Sequence, residues 1–126
     1  MSSEPLGILL TSGAHDRAHY AFVLATAAAA LGRPVTLFAT NAGCRALLAD
    51  WSDLEDVGRD AVIRRRHVAG LGELRDAARE TGVQLLVCEA GMRAEALDAS
   101  ELMVGVEVAG VATFLGATAG GQIISL

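Results

Sequence analysis

Lysine is absent from this sequence of 126 residues, and cysteine and proline occur only twice each. Its basic residues are all arginines, and the acidic residues outnumber them to leave a net charge of −5. Nucleic-acid partners are not expected, because phosphate backbones require clustered positive charge. A chain of this length buries enough surface to fold without a disulfide or metal. We therefore expect Cys44 and Cys88 to be free thiols, as is usual in the reducing cytoplasm.

Long apolar segments are also missing. No apolar stretch is long enough to cross a bilayer without a glycine or polar interruption, and no charged-then-apolar signal pattern opens the chain. We expect one domain over residues 1–126, located in the cytoplasm and not bound to a membrane. Mean hydropathy is nevertheless high, at +0.42. A parallel sheet buried on both faces or an interface between subunits accounts for such a value.

Short apolar runs alternate with helical patterns along the chain. The runs predict strands at Leu6–Thr11, Val35–Thr40, Val83–Val87, Val106–Val108 and Gln122–Leu126. The intervening patterns predict helices at His15–Leu31, from Asn41 as a cap through Leu48, from Leu71 to Gly82, near Ala94–Leu97, at Ser100–Val104 and from Gly110. This order predicts an α/β fold with a mainly parallel, five-stranded sheet and helices on both faces.

The segment Asp50–Ala69 interrupts this pattern, because it is rich in charge and contains the only tryptophan. We expect it to lie over one end of the sheet with little to bury. It should be the least ordered part of the chain, or be ordered only by contacts between subunits. The arginines at 64–66 and His67 within it are expected to face solvent.

Functional groups are expected at the carboxyl ends of the strands. Right-handed crossovers bring these ends to one side of a parallel sheet, where ligands bind. The prediction places Cys88, His15, Asn41 and Gly110 on one shared rim, and Cys44 close by. His15 and His19 are one helical turn apart. A zinc site needs three or four ligands, and no further ligand has a suitable spacing, so no metal is expected.

Cys88 is the sharpest candidate for chemistry, because a strand gives way to a turn there. Free backbone N–H groups at such a turn stabilise a thiolate, which can accept and pass on a persulfide sulfur. Gly91 would let a ligand approach the backbone, Met92 would form an apolar lid, and Glu89 would oppose the thiolate. A buried cysteine that packs as a small hydrophobe is the alternative, and it is the preferred interpretation for Cys44.

Four stretches of the sequence together resemble the DsrE/DsrF-type proteins, the small subunits and relatives of bacterial sulfur-relay complexes. The stretches are Leu9–Gly13 with His15-Asp16 and the alanine-rich helix, Val35–Thr40 with Gly43, Val83–Met92, and Gly105–Leu115. The resemblance covers most of the chain, apart from Asp50–Ala69.

The resemblance implies a flavodoxin-like, three-layer α/β/α fold that assembles into trimers or hexamers. It also implies that Cys88 accepts a persulfide from a donor protein and hands it to an acceptor protein. No cofactor is expected, since sulfur transfer through a cysteine thiol needs none. Independently of the resemblance, His15 is the candidate proton donor near the thiol. Two alternatives stay open: a non-catalytic module that binds a small anion or nucleotide on the same rim, and a homo-oligomeric interaction protein in which Cys88 is structural.

Overall fold

The computed structural model describes residues 4–126, and its centre is a five-stranded sheet in which every neighbouring pair is parallel. The strands are β1 (Leu6–Leu10), β2 (Val35–Ala39), β3 (Gln84–Cys88), β4 (Val106–Ala109) and β5 (Gln122–Ser125). Their spatial order is β4-β3-β2-β1-β5. The expected α/β fold is confirmed.

The helices divide unequally between the two faces of the sheet. They are α1 (His15–Ala30), α2 (Arg59–Arg65), α3 (Leu71–Glu80), α4 (Glu89–Ala94) and α5 (Val111–Ala117). Strands β1 to β4 follow one another in one direction, so right-handed crossovers place α1 and α3 on the same face. The chain then returns from β4 to the opposite edge, which places α5 on the second face. There Phe114 stacks on Phe38, with ring centroids 5.0 Å apart.

Burial of the sheet explains much of the high hydropathy. All five residues of β2 are buried, and the larger core lies between the sheet and the face that carries α1 and α3. On the second face α5 is short, and it leaves Val111, Leu115 and Ile123 exposed. Within residues 4–126, no helix is both long enough and apolar enough to cross a membrane.

Three helical boundaries differ from those predicted. The helix expected over 100–104 is a single 3-10 turn, Ala99–Glu101, because the chain then leaves to pair Leu102 with Leu48. The helix expected near 94–97 begins earlier, at Glu89. The helix after β2 is a 3-10 helix, in which Asn41 has a left-handed φ of 52° and does not serve as the cap.

The charged segment after β2 packs more firmly than expected. Leu54, Asp60 and Ile63 are buried, so the prediction that this segment has little to bury is wrong. The segment is tied to the start of α1, where the His15 N–H donates to the Glu55 carbonyl at 2.8 Å. The arginines at 64–66 and His67 are exposed, as predicted.

Candidate functional site

Cys88 ends β3 and also caps α4. Its backbone is extended, with φ −71° and ψ 122°, and its Sγ accepts a hydrogen bond from the Gly91 N–H at 3.3 Å. The residue is half-buried, and its side chain packs against the small cluster of Phe38, Leu86 and Phe114. A sulfur that accepts a backbone N–H is well suited to carry negative charge, because the same contact stabilises a thiolate.

The topology makes the position of Cys88 distinctive. Cys88 pairs with Ala109, the last residue of the neighbouring strand β4. After β3 the chain turns toward the face of α1 and α3, whereas after β4 it turns into α5 on the opposite face. Adjacent strands whose connections leave toward opposite faces form the crevice in which open α/β sheets bind ligands. Cys88 therefore lies at the switch point of this sheet.

Gly91 has a packing function that the sequence does not reveal. A Cβ at this position would lie 2.3 Å from Thr40 Oγ1 and 2.6 Å from the Asn41 backbone nitrogen. The missing side chain thus allows α4 to approach the end of β2 and to aim the Gly91 N–H at the sulfur. The space expected for a ligand beside Gly91 is occupied by Thr40 and Asn41.

The other predicted rim residues lie in different surroundings. Met92 is 4% exposed and belongs to the larger core, across the sheet from the cluster that contacts Cys88. It therefore anchors α4 to the core and does not form the expected apolar lid. Gly110 directly follows Ala109, is exposed, and has open space where a side chain would be. Asn41 is exposed and adjoins Gly91.

His15 is fully buried and engaged on both ring nitrogens. Its Nε2 is 2.8 Å from Asp60 Oδ1, and Arg59 Nη1 donates to its Nδ1 at 3.4 Å. Because arginine can only donate, Nε2 carries the proton and donates it to the carboxylate. The ring also stacks on His19, whose Nε2 contacts the Ala69 carbonyl. The structure therefore gives His15 a tethering function, and it does not bring His15 to Cys88 as a proton donor.

Asp60 should make this tether sensitive to acid. Burial raises the pKa of Asp60, but hydrogen bonds from the Leu71 N–H and His15 outweigh burial and hold it below its ordinary 3.8. A depressed folded-state pKa stabilises the fold above pH 3.8, and this contribution is lost as the pH falls through the folded value. We expect Asp60→Asn to lower the free energy of unfolding by about 1–3 kcal/mol at neutral pH.

The difference in the free energy of unfolding between Asp60→Asn and the wild type should start to narrow below pH 3.8, and it should be smallest once the pH has fallen through the lower folded-state pKa, where the native carboxylate also loses its charge. Urea unfolding at several pH values measures this difference. A difference in the free energy of unfolding that stays constant with pH would contradict a stabilising function of the Asp60 carboxylate. Asp53→Asn, at an exposed position in the same segment, is the control.

Cys44 is the second cysteine near this end of the sheet. It is completely buried, and its Sγ is 3.9 Å from the Ala39 carbonyl. Burial, together with unfavourable electrostatic interactions with the neighbouring Cys88 and Glu95 side chains, raises the pKa of the Cys44 thiol to about 11. Cys44 is therefore a protonated packing residue at neutral pH, in agreement with the structural interpretation.

Two ion pairs lie on or beside α4. Arg45 pairs with Glu95, which ties the 3-10 helix after β2 to the end of α4. Glu89, expected to oppose a thiolate, has its Oε1 3.4 Å from Arg93 Nη1. The Arg45–Glu95 and His15–Asp60 pairs join residues far apart in the chain, so no local pattern signals them.

No group of three or more His, Cys, Asp or Glu residues in the described part of the chain is arranged to hold a metal ion.

Two known proteins are similar to this chain in sequence, and two solved structures are similar to it in fold. The chain is 28% identical to the sulfur carrier protein DsrE2 of Allochromatium vinosum, over 90% of this chain and 92% of that protein. It is also 28% identical to the uncharacterized protein YrkE of Bacillus subtilis, over 86% and 87% of the two chains. The structure of YchN from E. coli superposes with a TM-score of 0.74 at 12% identity, covering 98% of this chain and 99% of the other.

A second structure, MTH1491 from Methanobacterium thermoautotrophicum, superposes with a TM-score of 0.58 at 18% identity and the same coverage. At such identities the structural likeness establishes the fold alone. The sequence itself matches the sequence profile of the DsrE/DsrF-like family over residues 5–125, which is nearly the whole chain. The chain belongs to the DsrE/DsrF-like family.

Proposed function

We propose that this protein carries sulfur as a persulfide on Cys88. The observation that carries the proposal is the position of this thiol, partly exposed at the switch point of the sheet with Sγ accepting the Gly91 N–H. Membership of the DsrE/DsrF-like family and the similarity to a protein named as a sulfur carrier support the same chemistry.

The transfer step needs no external oxidant or reductant. The Cys88 thiolate attacks the outer sulfur of a persulfide on a donor protein. A new S–S bond forms on Cys88 while the S–S bond in the donor breaks, and the donor cysteine leaves as a thiolate. A thiolate of an acceptor protein takes the sulfur in the same way, which regenerates the Cys88 thiolate. The Gly91 N–H stabilises the sulfur anion at the start and the end of this cycle.

Mass spectrometry of the intact protein tests the proposal directly. After incubation with a low-molecular-weight persulfide, the protein should gain the mass of one sulfur atom, and peptide mapping should locate that mass on Cys88. Subsequent addition of a thiol acceptor should remove it. A protein that never gains mass, or gains it only on Cys44, would refute the proposal.

We also propose that the protein assembles as a homo-oligomer, a trimer or a hexamer, through the second face of the sheet. Val111 and Leu115 on α5 and Ile123 on β5 are 56%, 53% and 44% exposed. Several exposed large apolar side chains on one face of a sheet are typical of protein interfaces. A cytoplasmic location accompanies this proposal, because the two free thiols suit a reducing compartment.

Replacing Leu115 by Glu should weaken the assembly, since it would bury a charge without a partner. We expect light scattering to show an oligomer for the wild type at micromolar concentration. Leu115→Glu should need about tenfold more protein to assemble. Leu31→Glu is the matched control, because Leu31 is 68% exposed at the end of α1 on the other face. A wild-type monomer, or equal weakening by both variants, would contradict the assignment.

A further inference from the structure

A small cavity lies between the end of α2 and the start of α3. Its volume is about 230 Å³, and it is lined by Trp51, Asp60, Arg64, Gly70, Gly72 and Glu73. None of these residues contributes to the surroundings of Cys88 described above, so this cavity is separate from the proposed sulfur site. Its volume is that of roughly eight water molecules, which suits a ligand of few atoms.

One oxygen of Asp60 is available to a ligand in this cavity. Oδ1 accepts two hydrogen bonds, from His15 Nε2 and from the Leu71 N–H, each at 2.8 Å. Within residues 4–126, no donor contacts Oδ2, although Asp60 is only 6% exposed. The absence of a side chain at Gly70 leaves the space beside this oxygen open, since a Cβ there would lie 2.9 Å from Oδ2. This oxygen is not sealed in the core, because no fully buried side-chain oxygen of residues 4–126 lacks a partner. A carboxylate oxygen without a donor at the wall of a cavity can accept hydrogen bonds from an ammonium group.

Positive charge faces the same space. Arg64 is exposed, and in the described part of the chain it forms no ion pair. Beside it α3 begins, and the N–H groups of Gly72 and Glu73 in the first turn have no carbonyl partner within the helix. A guanidinium group next to free N–H groups favours a carboxylate. Glu73 adds a second acid at the cavity, so charges of both signs surround it.

Trp51 provides an apolar wall and a reporter. Its ring is half-buried, and the absence of a side chain at Gly72 leaves room beside it, since a Cβ there would be 3.9 Å from Trp51 Cζ2. Trp51 is the only tryptophan in the chain, so all tryptophan fluorescence comes from this ring. The same ring borders a second depression beside Ala49 and Val57, and the Arg64 variant described below separates the two.

We infer that this cavity binds the zwitterionic head of a small free α-amino acid. The carboxylate binds Arg64 and the first turn of α3, the ammonium group binds Asp60 Oδ2, and the side chain lies against Trp51. A ligand carrying only negative charge would face Asp60 and Glu73, and a ligand carrying only positive charge would face Arg64. A zwitterion satisfies both sets of groups.

Titrations followed by Trp51 fluorescence test this inference on the full chain. The probes are L-alanine, L-serine and L-valine, together with N-acetyl-L-alanine, which lacks the cation, and L-alanine methyl ester, which lacks the anion. We expect the free amino acids to bind with a Kd of about 1 mM or lower, as suits ligands of this size. Both blocked derivatives should bind at least about tenfold more weakly.

Two variants complete the test. Arg64→Gln should weaken binding of the free amino acids by at least about tenfold, because it removes the charge that pairs with the carboxylate. Arg65→Gln, an adjacent exposed arginine that does not line the cavity, should leave binding unchanged. The inference is overturned if no free amino acid changes the fluorescence at about 10 mM, ten times the expected Kd. It is equally overturned if a blocked derivative binds as well as L-alanine, or if the two variants behave alike.

Discussion

Cys88→Ser is expected to abolish persulfide loading while leaving the fold intact. Serine is nearly isosteric with cysteine, and its oxygen can accept the Gly91 N–H that now reaches the sulfur at 3.3 Å. The hydroxyl is not ionised at neutral pH, however, and it forms no stable bond to a sulfane sulfur. Intact-protein mass spectrometry should therefore detect no added sulfur, while the circular dichroism spectrum and the Tm remain those of the wild type.

Cys44→Ser is the matched control for this experiment. Cys44 is fully buried and protonated at neutral pH, so its loss should not affect loading. Loading that survives in Cys88→Ser would refute the sulfur-carrier proposal. Loading that disappears in both variants would indicate that a damaged fold, and not a lost nucleophile, is responsible.

Gly91→Ala is expected to disturb both stability and loading. A Cβ at this position would lie 2.3 Å from Thr40 Oγ1 and 2.6 Å from the backbone nitrogen of Asn41. Rotation of Thr40 can relieve the first contact, but the second involves backbone, so α4 itself must move. Overpacking of this kind costs about 1–3 kcal/mol, which outweighs the helix propensity of alanine. Displacement of α4 also removes the N–H that caps the sulfur.

Urea unfolding and the rate of persulfide loading measure these two effects. We expect a lower free energy of unfolding and slower loading for Gly91→Ala than for the wild type. Gly58→Ala is the control, because Gly58 has an ordinary φ of −61° and nothing lies within 4 Å of its missing Cβ. Unchanged stability and loading in Gly91→Ala would show that the close approach of α4 to β2 is not required.

Local patterns predicted the sheet well. Each strand is a short apolar run bounded by glycine or polar residues, and every observed strand lies within one residue of its predicted bounds. The position of Cys88 at the end of β3 follows from the same pattern, because the apolar run stops there. Side-chain direction was harder to predict. Cys88 shares a face of the sheet with Leu86, because side chains alternate along a strand. The sequence does not show, however, that this is the face covered by α5.

Contacts between distant residues were not predictable. His15 was expected near Cys88 because both follow strands, yet it pairs with Asp60, which lies 45 positions later in the chain. The same buried pair explains why the charged segment packs against α1. Met92 and Gly91 were interpreted as ligand contacts, whereas they fix α4 to the larger core and to the end of β2.

The amino-acid sequence alone established the α/β class, the alternation of strands and helices, and the rim at which Cys88 lies. These features depend on the apolar periodicity of each segment and on the handedness of crossovers, both of which are local or general rules. The cap on the Cys88 sulfur, the close approach at Gly91 and the cavity beside Trp51 emerged only from the folded chain. Each depends on atoms from segments that are distant in sequence, and their distances are set by packing.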